Sequence, residues 1–362
     1  MGVTGAADDV AAVAARFGVE GSIATVTPIS GGHINDSYRV ETRAEHGAAR
    51  SYLLQRLNPR VFPRPGLVME NVARVARHLA RRAARYPALV PAQDGRDWIT
   101  AASGDVWRMF VFVQGATVRQ RVQSPADAGA AGRAFGEFLR LLADAPPPLH
   151  ETIPGFHDTR ARFAQLDAAR GADACHRVSD ALPEITALQA ERALADVLPP
   201  LLASGAVPVR AVHNDAKIGN VLLDERTGAP LCVIDLDTVM PGSALYDFGD
   251  LVRSVTSPSP EDEEDLTRVG ARLPLFAALT HGYLEAAGNV LSHPERELLG
   301  FAGRLITLEQ AVRFLTDHLA GDRYYRISRP GHNLIRCRAQ LALFRSLTDQ
   351  AAALERIVTE SA

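Results

Sequence analysis

The side chains most able to do chemistry cluster in one stretch: His213, Asp215, Lys217 and Asn220, followed by Asp235 at the end of the apolar run Leu231-Cys232-Val233-Ile234. A carboxylate such as Asp215, held on a loop, can align an acceptor hydroxyl and take its proton. An amide and a second carboxylate, Asn220 and Asp235, suit Mg2+, which prefers hard oxygen ligands and fills its shell with water and phosphate oxygens. A base followed by this metal pair, with the spacing H-x-D-x-x-x-x-N and then strand-Asp, is the residue set for phosphoryl transfer, in which positioning and charge neutralisation supply most of the rate. The plainer alternative, Asp215 as a loop cap, leaves its spacing to Asn220 and Asp235 unexplained. His213 is expected to brace the loop. Lys217 either brings a cation near the transferred phosphate or is a simple loop lysine.

Upstream, Ser30-Gly31-Gly32-His33-Ile34-Asn35 reads as a turn between strands. Glycines there can expose N–H groups to an anion, so Gly31, Gly32, His33 and Asn35 are candidates for covering nucleotide phosphates, although Gly-Gly is also an ordinary hairpin turn. Downstream, Asp247-Phe248-Gly249 spells a metal-binding triplet. It follows a Pro-Gly loop rather than a buried strand, so Asp247 is expected to accept backbone N–H bonds and brace the loops. Asp237 would share a face with Asp235 if the strand continued, with a metal or substrate role set against a structural one.

These side chains need a scaffold. Strands are expected over residues 26–40, broken by the glycine turn, over 51–57, and as a hairpin at 98–100 and 106–113. Helices are expected over 8–17, 69–85 and 126–144, near 180–203, and over 244–255, 262–288, 294–319 and 334–358, with short strands at 220–224 and 231–235. The acidic run Glu261-Asp262-Glu263-Glu264-Asp265 would cap the second of the late helices and form its solvated first turn. The result is an α+β, bilobal, protein-kinase-like fold. Residues 1–113 form a small β-rich lobe with the phosphate cover, and residues 114–362 a large, mainly helical lobe with the catalytic loop and acceptor site. The hinge falls near Phe112 to Gly115, and the backbone there, at Phe112 and Val113, would hold adenine in the cleft between the lobes.

A chain of 362 residues, 47% hydrophobic, has ample material for such a core. A net charge of -3 and 6% aromatics argue against a nucleic-acid or membrane surface. Three dispersed cysteines give no disulfide framework or zinc pattern, so a reduced, cytoplasmic setting is expected. No signal peptide or membrane span is expected.

The segments Gly31 to Tyr38, Leu53 to Asn58, His213 to Asn220, Val233-Ile234-Asp235-Leu236-Asp237-Thr238-Val239-Met240-Pro241-Gly242, Tyr246 to Asp250 and Thr307 to Tyr325 resemble the phosphotransferase family that includes aminoglycoside and choline kinases, and more closely its N-acetylhexosamine 1-kinase group. The resemblance implies ATP, Mg2+ and transfer of the γ-phosphate to the anomeric hydroxyl of GlcNAc or GalNAc. It also implies sugar contacts from Arg313, Tyr324 and Tyr325. The chemistry agrees, since guanidinium bridges oxygens and tyrosine offers a face and a hydroxyl. The alternatives are a surface salt bridge for Arg313 and core packing for the tyrosines. The third strand departs from the wider kinase pattern: Gln55 stands where a phosphate-binding Lys is usual, and Arg56 would point the other way. The phosphate counter-charge is then left to Lys217 and Mg2+. Rival readings are a kinase of another small alcohol, or a non-catalytic nucleotide-binding protein on the same fold.

Overall fold

Alternating β-branched and aromatic residues on either side of short turns build the first sheet. In the computed structural model, which describes residues 9–29, 34–43, 49–82, 85–145 and 149–361, a short helix α1 (Val10–Ala14) precedes strands β1 (Ser22–Pro28), β2 (Asp36–Arg43) and β3 (Ser51–Arg56). Helix α2 (Pro65–Arg82) and strands β4 (Ile99–Thr100) and β5 (Val106–Val111) follow. The strands form one antiparallel sheet in the order β1-β2-β3-β5-β4. Its core is Val40, Tyr52, Leu54, Trp107 and Met109, packed with Val13, Ala14 and Phe17 of the N-terminal segment.

Helix α2 begins at Pro65, where a fixed φ costs no hydrogen bond. It buries Val68, Met69, Val72, Val75, Ala76 and Leu79, one stripe at helical spacing. The first compact unit comprises Met1–Ala116 with two later pieces, Asp144–Ile153 and Ile234–Met240. Buried Asn71 on α2 ties both in: its amide donates to the carbonyls of His150 (2.8 Å) and Val239 (3.0 Å), and its oxygen accepts from His150 N–H (2.8 Å).

The second unit is mainly helical. Its elements begin with β6 (Ala116–Val118), α3 (Pro125–Leu142), α4 (Thr159–Ala172), α5 (Leu182–Ala190), α6 (Leu198–Ala203), β7 (Arg210–Val212), β8 (Val221–Asp224) and β9 (Pro230–Val233). Helices α7 (Ala244–Val255), α8 (Leu273–Ala287), α9 (His293–Glu297), α10 (Leu299–Leu319), α11 (His332–Asp349) and α12 (Ala351–Ser361) complete it. One core gathers Phe163 and Leu166 of α4, Ile185 and Leu188 of α5, Leu308, Val312 and Leu315 of α10, and Leu341 and Phe344 of α11. Helices α3 and α8 meet along glycines. A methyl added at Gly132 would fall on the carbonyl oxygen of Leu279, one at Gly282 on that of Gly129, and one at Gly136 would lie 2.5 Å from that of Tyr283.

Several expectations are corrected. The helix expected over 262–288 starts only at Leu273, with Pro274 in its first turn. The acidic run precedes a single 3-10 turn, Leu266–Arg268, capped by Asp265. Its members are tied down rather than merely solvated: Glu261 pairs with Arg253 (2.6 Å), and Asp262 with His332 (2.9 Å) and Arg329 (3.4 Å). The stretches 294–319 and 334–358 are each two helices. Helix α4 was not foreseen at all. Among the described residues no helix is long and apolar enough to cross a membrane. Among the described residues Cys175, Cys232 and Cys337 form no disulfide.

Candidate active site

The loop that carries the candidate base Asp215 follows β7 and is held from several directions. His213 is fully buried, its ring edge-on to Phe135 (5.4 Å) and Phe138 (5.7 Å) of α3. Asn214 adopts φ 62, a left-handed conformation that asparagine tolerates better than most residues. The Asp247 carboxylate, on the first turn of α7, accepts from the backbone N–H of His213 (2.8 Å) and Asn214 (2.6 Å). Asp247 thus braces the loop. Burial pushes its carboxyl up in pKa, against His213 and these two donors.

Asp215 sits at the centre of its own small network. Its N–H donates to His213 Nδ1 (3.3 Å). Its Oδ2 accepts from Lys217 Nζ (2.7 Å) and Asn220 Nδ2 (3.2 Å), and its carbonyl also accepts from Asn220 Nδ2 (2.9 Å). Burial alone would raise the carboxyl, but the Lys217 ammonium, His213 and the Asn220 amide bring it down to about 2. The group is therefore a carboxylate at neutral pH, and Lys217 is the cation that steadies it. With Nδ2 of Asn220 turned to Asp215, Oδ1 is the atom this amide offers to a cation.

In the first unit, Asp235 and Asp237 lie on a segment whose shape the sequence did not reveal. Strand β9 ends at Val233. Asp235 then takes φ 64, and Leu236–Thr238 form a 3-10 turn. Asp237 is therefore not a strand neighbour of Asp235. It is 3% exposed and accepts from Asn35 Nδ2 (2.6 Å) and from the guanidinium of Arg108, with which it forms a buried ion pair. This carboxylate thereby ties the segment after Asp235 to the sheet.

Arg108 is the site residue that sequence reasoning missed. It lies on β5, opposite Gln55 on β3, and is 1% exposed. Its Nε and Nη2 donate to Gln55 Oε1 (3.1 and 2.9 Å). Gln55 Nε2 donates to Ser37 Oγ (3.1 Å), and Asn35 Oδ1 accepts from Asn58 N–H (3.0 Å). The only available signal was one charged residue in the apolar run Val106-Trp107-Arg108-Met109-Phe110-Val111. Arg56 faces elsewhere, toward Asp36 and Asp105. Gly31, Gly32 and His33 lie outside the described residues. At the expected hinge, Phe112 N–H donates to Ser51 O (3.0 Å) and Arg39 covers the Phe112 ring (4.8 Å); Val113 beside it is half-buried.

The residues implied for the acceptor come together in the second unit. The Arg313 guanidinium lies 5.0 Å from the Phe156 ring centre, 5.8 Å from Tyr324 and 5.7 Å from Tyr325. Gln310, one turn back on α10, bonds both Arg313 (3.2 Å) and the Tyr325 hydroxyl (3.1 Å). Tyr324 is 55% exposed, whereas Tyr325 packs on the core, where burial pushes its hydroxyl up to about 12. The loop that carries them is tied by Asp317, whose carboxylate accepts from the N–H of Arg323, Tyr324 and Tyr325 and from Asn333 Nδ2 (2.8–2.9 Å). Arg313 is thus set in an aromatic cluster rather than in a surface salt bridge.

The Asn220 amide oxygen in the second unit and the Asp235 carboxylate in the first are each hard oxygens of the kind Mg2+ prefers. Among the described residues no group of three His, Cys, Asp or Glu side chains is placed to hold a metal alone.

Comparison with known proteins gives a consistent result. The model of the Phosphotransferase enzyme family (APH) matches residues 25–280. Among solved structures, the amicoumacin kinase in complex with AMP-PNP, Ca2+ and Ami is 16% identical, with 93% of each chain covered and a TM-score of 0.64. A microcompartment-associated aminopropanol kinase is 16% identical over 97% of each chain, with a TM-score of 0.60. An aminoglycoside phosphotransferase from Alicyclobacillus acidocaldarius is 13% identical over 99% of this chain and 98% of its own, with a TM-score of 0.62. At these identities the likeness shows the fold: a sheet-based N-lobe and a helical C-lobe of the protein-kinase-like class.

Proposed function

The chain belongs to the phosphotransferase enzyme family, and from that premise we propose that it transfers the γ-phosphate of ATP to the anomeric hydroxyl of an N-acetylhexosamine, GlcNAc or GalNAc, giving the sugar 1-phosphate. In this reading Asp215 aligns the hydroxyl and accepts its proton. A carboxylate held this low is a weak base, which suits a loose transition state in which the proton leaves late. Lys217 keeps the carboxylate ionised and fixed. Asn220 Oδ1 and Asp235 would hold Mg2+, which neutralises phosphate charge when bound. The backbone around Phe112 and Val113 would take the adenine, and the segment reaching Asn35 would cover the phosphates. The division at 113/114 into a nucleotide lobe and an acceptor lobe follows from the same reading.

The observation that carries the acceptor is the Arg313 cluster. Arg313, Tyr324 and Tyr325 offer a guanidinium, an aromatic face and phenol hydroxyls, the groups that bind a neutral polyol. The neighbouring carboxylates are already engaged: Glu309 by His157 and Thr159, Asp250 by Arg253. An ammonium-bearing acceptor would find no open counter-charge among them. The second reading, an amino-alcohol acceptor, draws on the similarity to the aminopropanol kinase.

A panel of acceptors with ATP and Mg2+, read by coupled ADP release, separates the two. Turnover of GlcNAc or GalNAc with formation of an acid-labile sugar 1-phosphate is expected. Turnover of amino alcohols or aminoglycosides alone would overturn the hexosamine assignment.

A further inference from the structure

Behind the catalytic loop lies a buried ion pair that the phosphoryl-transfer reading does not use. His157 precedes α4 and Glu309 lies mid-way along α10; their side chains are 4% and 1% exposed. His157 Nδ1 meets Glu309 Oε1 at 2.8 Å, and His157 Nε2 meets the carbonyl oxygen of Asn214 at 3.1 Å. Thr159 Oγ1 donates to the other Glu309 oxygen (2.6 Å). Asn214 is the left-handed residue immediately before Asp215. Its N–H is already taken by Asp247, so the His157 bond fixes the other side of its backbone.

The partners decide the protonation state. A carbonyl oxygen only accepts, and an ionised carboxylate only accepts. With the Glu309 carboxyl ionised, as its lowered pKa beside His157 supports, both ring nitrogens of His157 carry hydrogen, which makes the ring an imidazolium. Glu309 is then its counter-ion, which also removes the cost of burying either charge alone. One helical turn beyond Glu309 on α10 stands Arg313.

We infer that His157 and Glu309 are positioning residues for phosphoryl transfer: a charged crosslink that ties α10, the helix bearing Arg313, to the peptide that orients Asp215. The inference rests on Asp215 as the base, and on no particular acceptor. Groups facing His157 from the packed elements are Glu309 and Arg313 on α10, Tyr246, Asp247 and Asp250 on α7, and Asp158 on its own segment. Burial and Arg313 oppose the charge on His157, and Glu309 with Asp250 outweigh them, so its pKa is raised.

The test has two arms on the full chain. The first needs no substrate. Protein labelled with nitrogen-15 in its histidine rings is examined by NMR from pH 6 to pH 8, with His157→Gln to assign the signal. One ring doubly protonated across that range is expected. No imidazolium at pH 8 in the wild-type protein would overturn the inference even if the variant did not fold. The second arm measures ATP turnover with Mg2+ and N-acetylglucosamine, or with water alone if that sugar is not accepted. His157→Gln and Glu309→Gln should each lower kcat by about 10- to 100-fold, the size expected of a misplaced base, with the KM for ATP within twofold. Wild-type kcat in both folded variants would overturn the inference. A wild-type imidazolium together with no activity toward the sugar would refute the acceptor and leave this pair intact.

Discussion

Arg108 on β5 and Asp237, in the turn just after Asp235, form an ion pair sealed from solvent, with the Gln55 oxygen on the far side of the guanidinium and the Asn35 amide on the far side of the carboxylate. The strand Lys is absent, yet the sheet supplies a cation one strand further on. That cation is spent on holding the segment that carries Asp235.

Breaking this pair should be severe. Replacing Arg108 by Met leaves a buried carboxylate uncompensated, which costs about 3–5 kcal/mol. Urea unfolding of Arg108→Met is expected to show a loss of that order. Adding Asp237→Leu should recover part of it, because two touching residues do not add. A loss in the double variant equal to the sum of the two single losses would show that the pair does not act as a unit.

Asp215→Asn keeps the size and most hydrogen bonds of the base but not its charge. Turnover should fall by about 10²- to 10⁴-fold, while calorimetry still detects ATP binding. Retained turnover would remove Asp215 from the reaction.

Arg313→Gln should raise the KM for the acceptor by at least about tenfold and leave that for ATP unchanged, as expected when one charged contact worth roughly 1.5–3 kcal/mol is lost. Tyr325→Phe removes only the hydroxyl bonded to Gln310 and should do less. A raised KM for ATP instead would place Arg313 on the nucleotide.

The His157–Glu309 pair also sets a pH window for stability. His157 has a pKa raised above its ordinary 6.5: burial opposes the charge, and Glu309 more than restores it. Its contribution is full below 6.5 and is lost as pH rises through the raised value. Glu309 has a pKa lowered from 4.5, burial again opposing and His157 overcoming it. Its contribution is present above 4.5 and is lost as pH falls through the lowered value. The stability difference between wild type and the His157→Gln, Glu309→Gln double variant should therefore be greatest between pH 4.5 and pH 6.5 and shrink toward both extremes. A difference independent of pH would contradict the charged pair.

Much of this was legible in the chain because its signals are local. Alternation marked β2 and β3, and the helical stripe marked α2. The helical run over 244–255 marked α7, and the spacing from His213 to Asn220 marked a phosphotransferase. What was missed depends on partners distant in sequence. Arg108 has meaning only beside Gln55 and Asp237. The backbone reversal at Asp235 looks, in sequence, like a continuing strand. The acidic run resembles a helix start until Arg253, Arg329 and His332 are seen to claim Glu261 and Asp262. Helix α4 buries little more than Phe163 and Leu166, too thin a stripe to show as periodicity.

The glycine seam between α3 and α8 has a consequence for the catalytic loop. Phe135 and Phe138, interleaved with those glycines on α3, form the wall against which His213 rests. The seat of the histidine is therefore gauged from the backbone of α8. One extra carbon at Gly132 or Gly136 would force α3 outward and carry that wall with it, so a substitution far from any reacting atom would detune the reaction by displacing its floor.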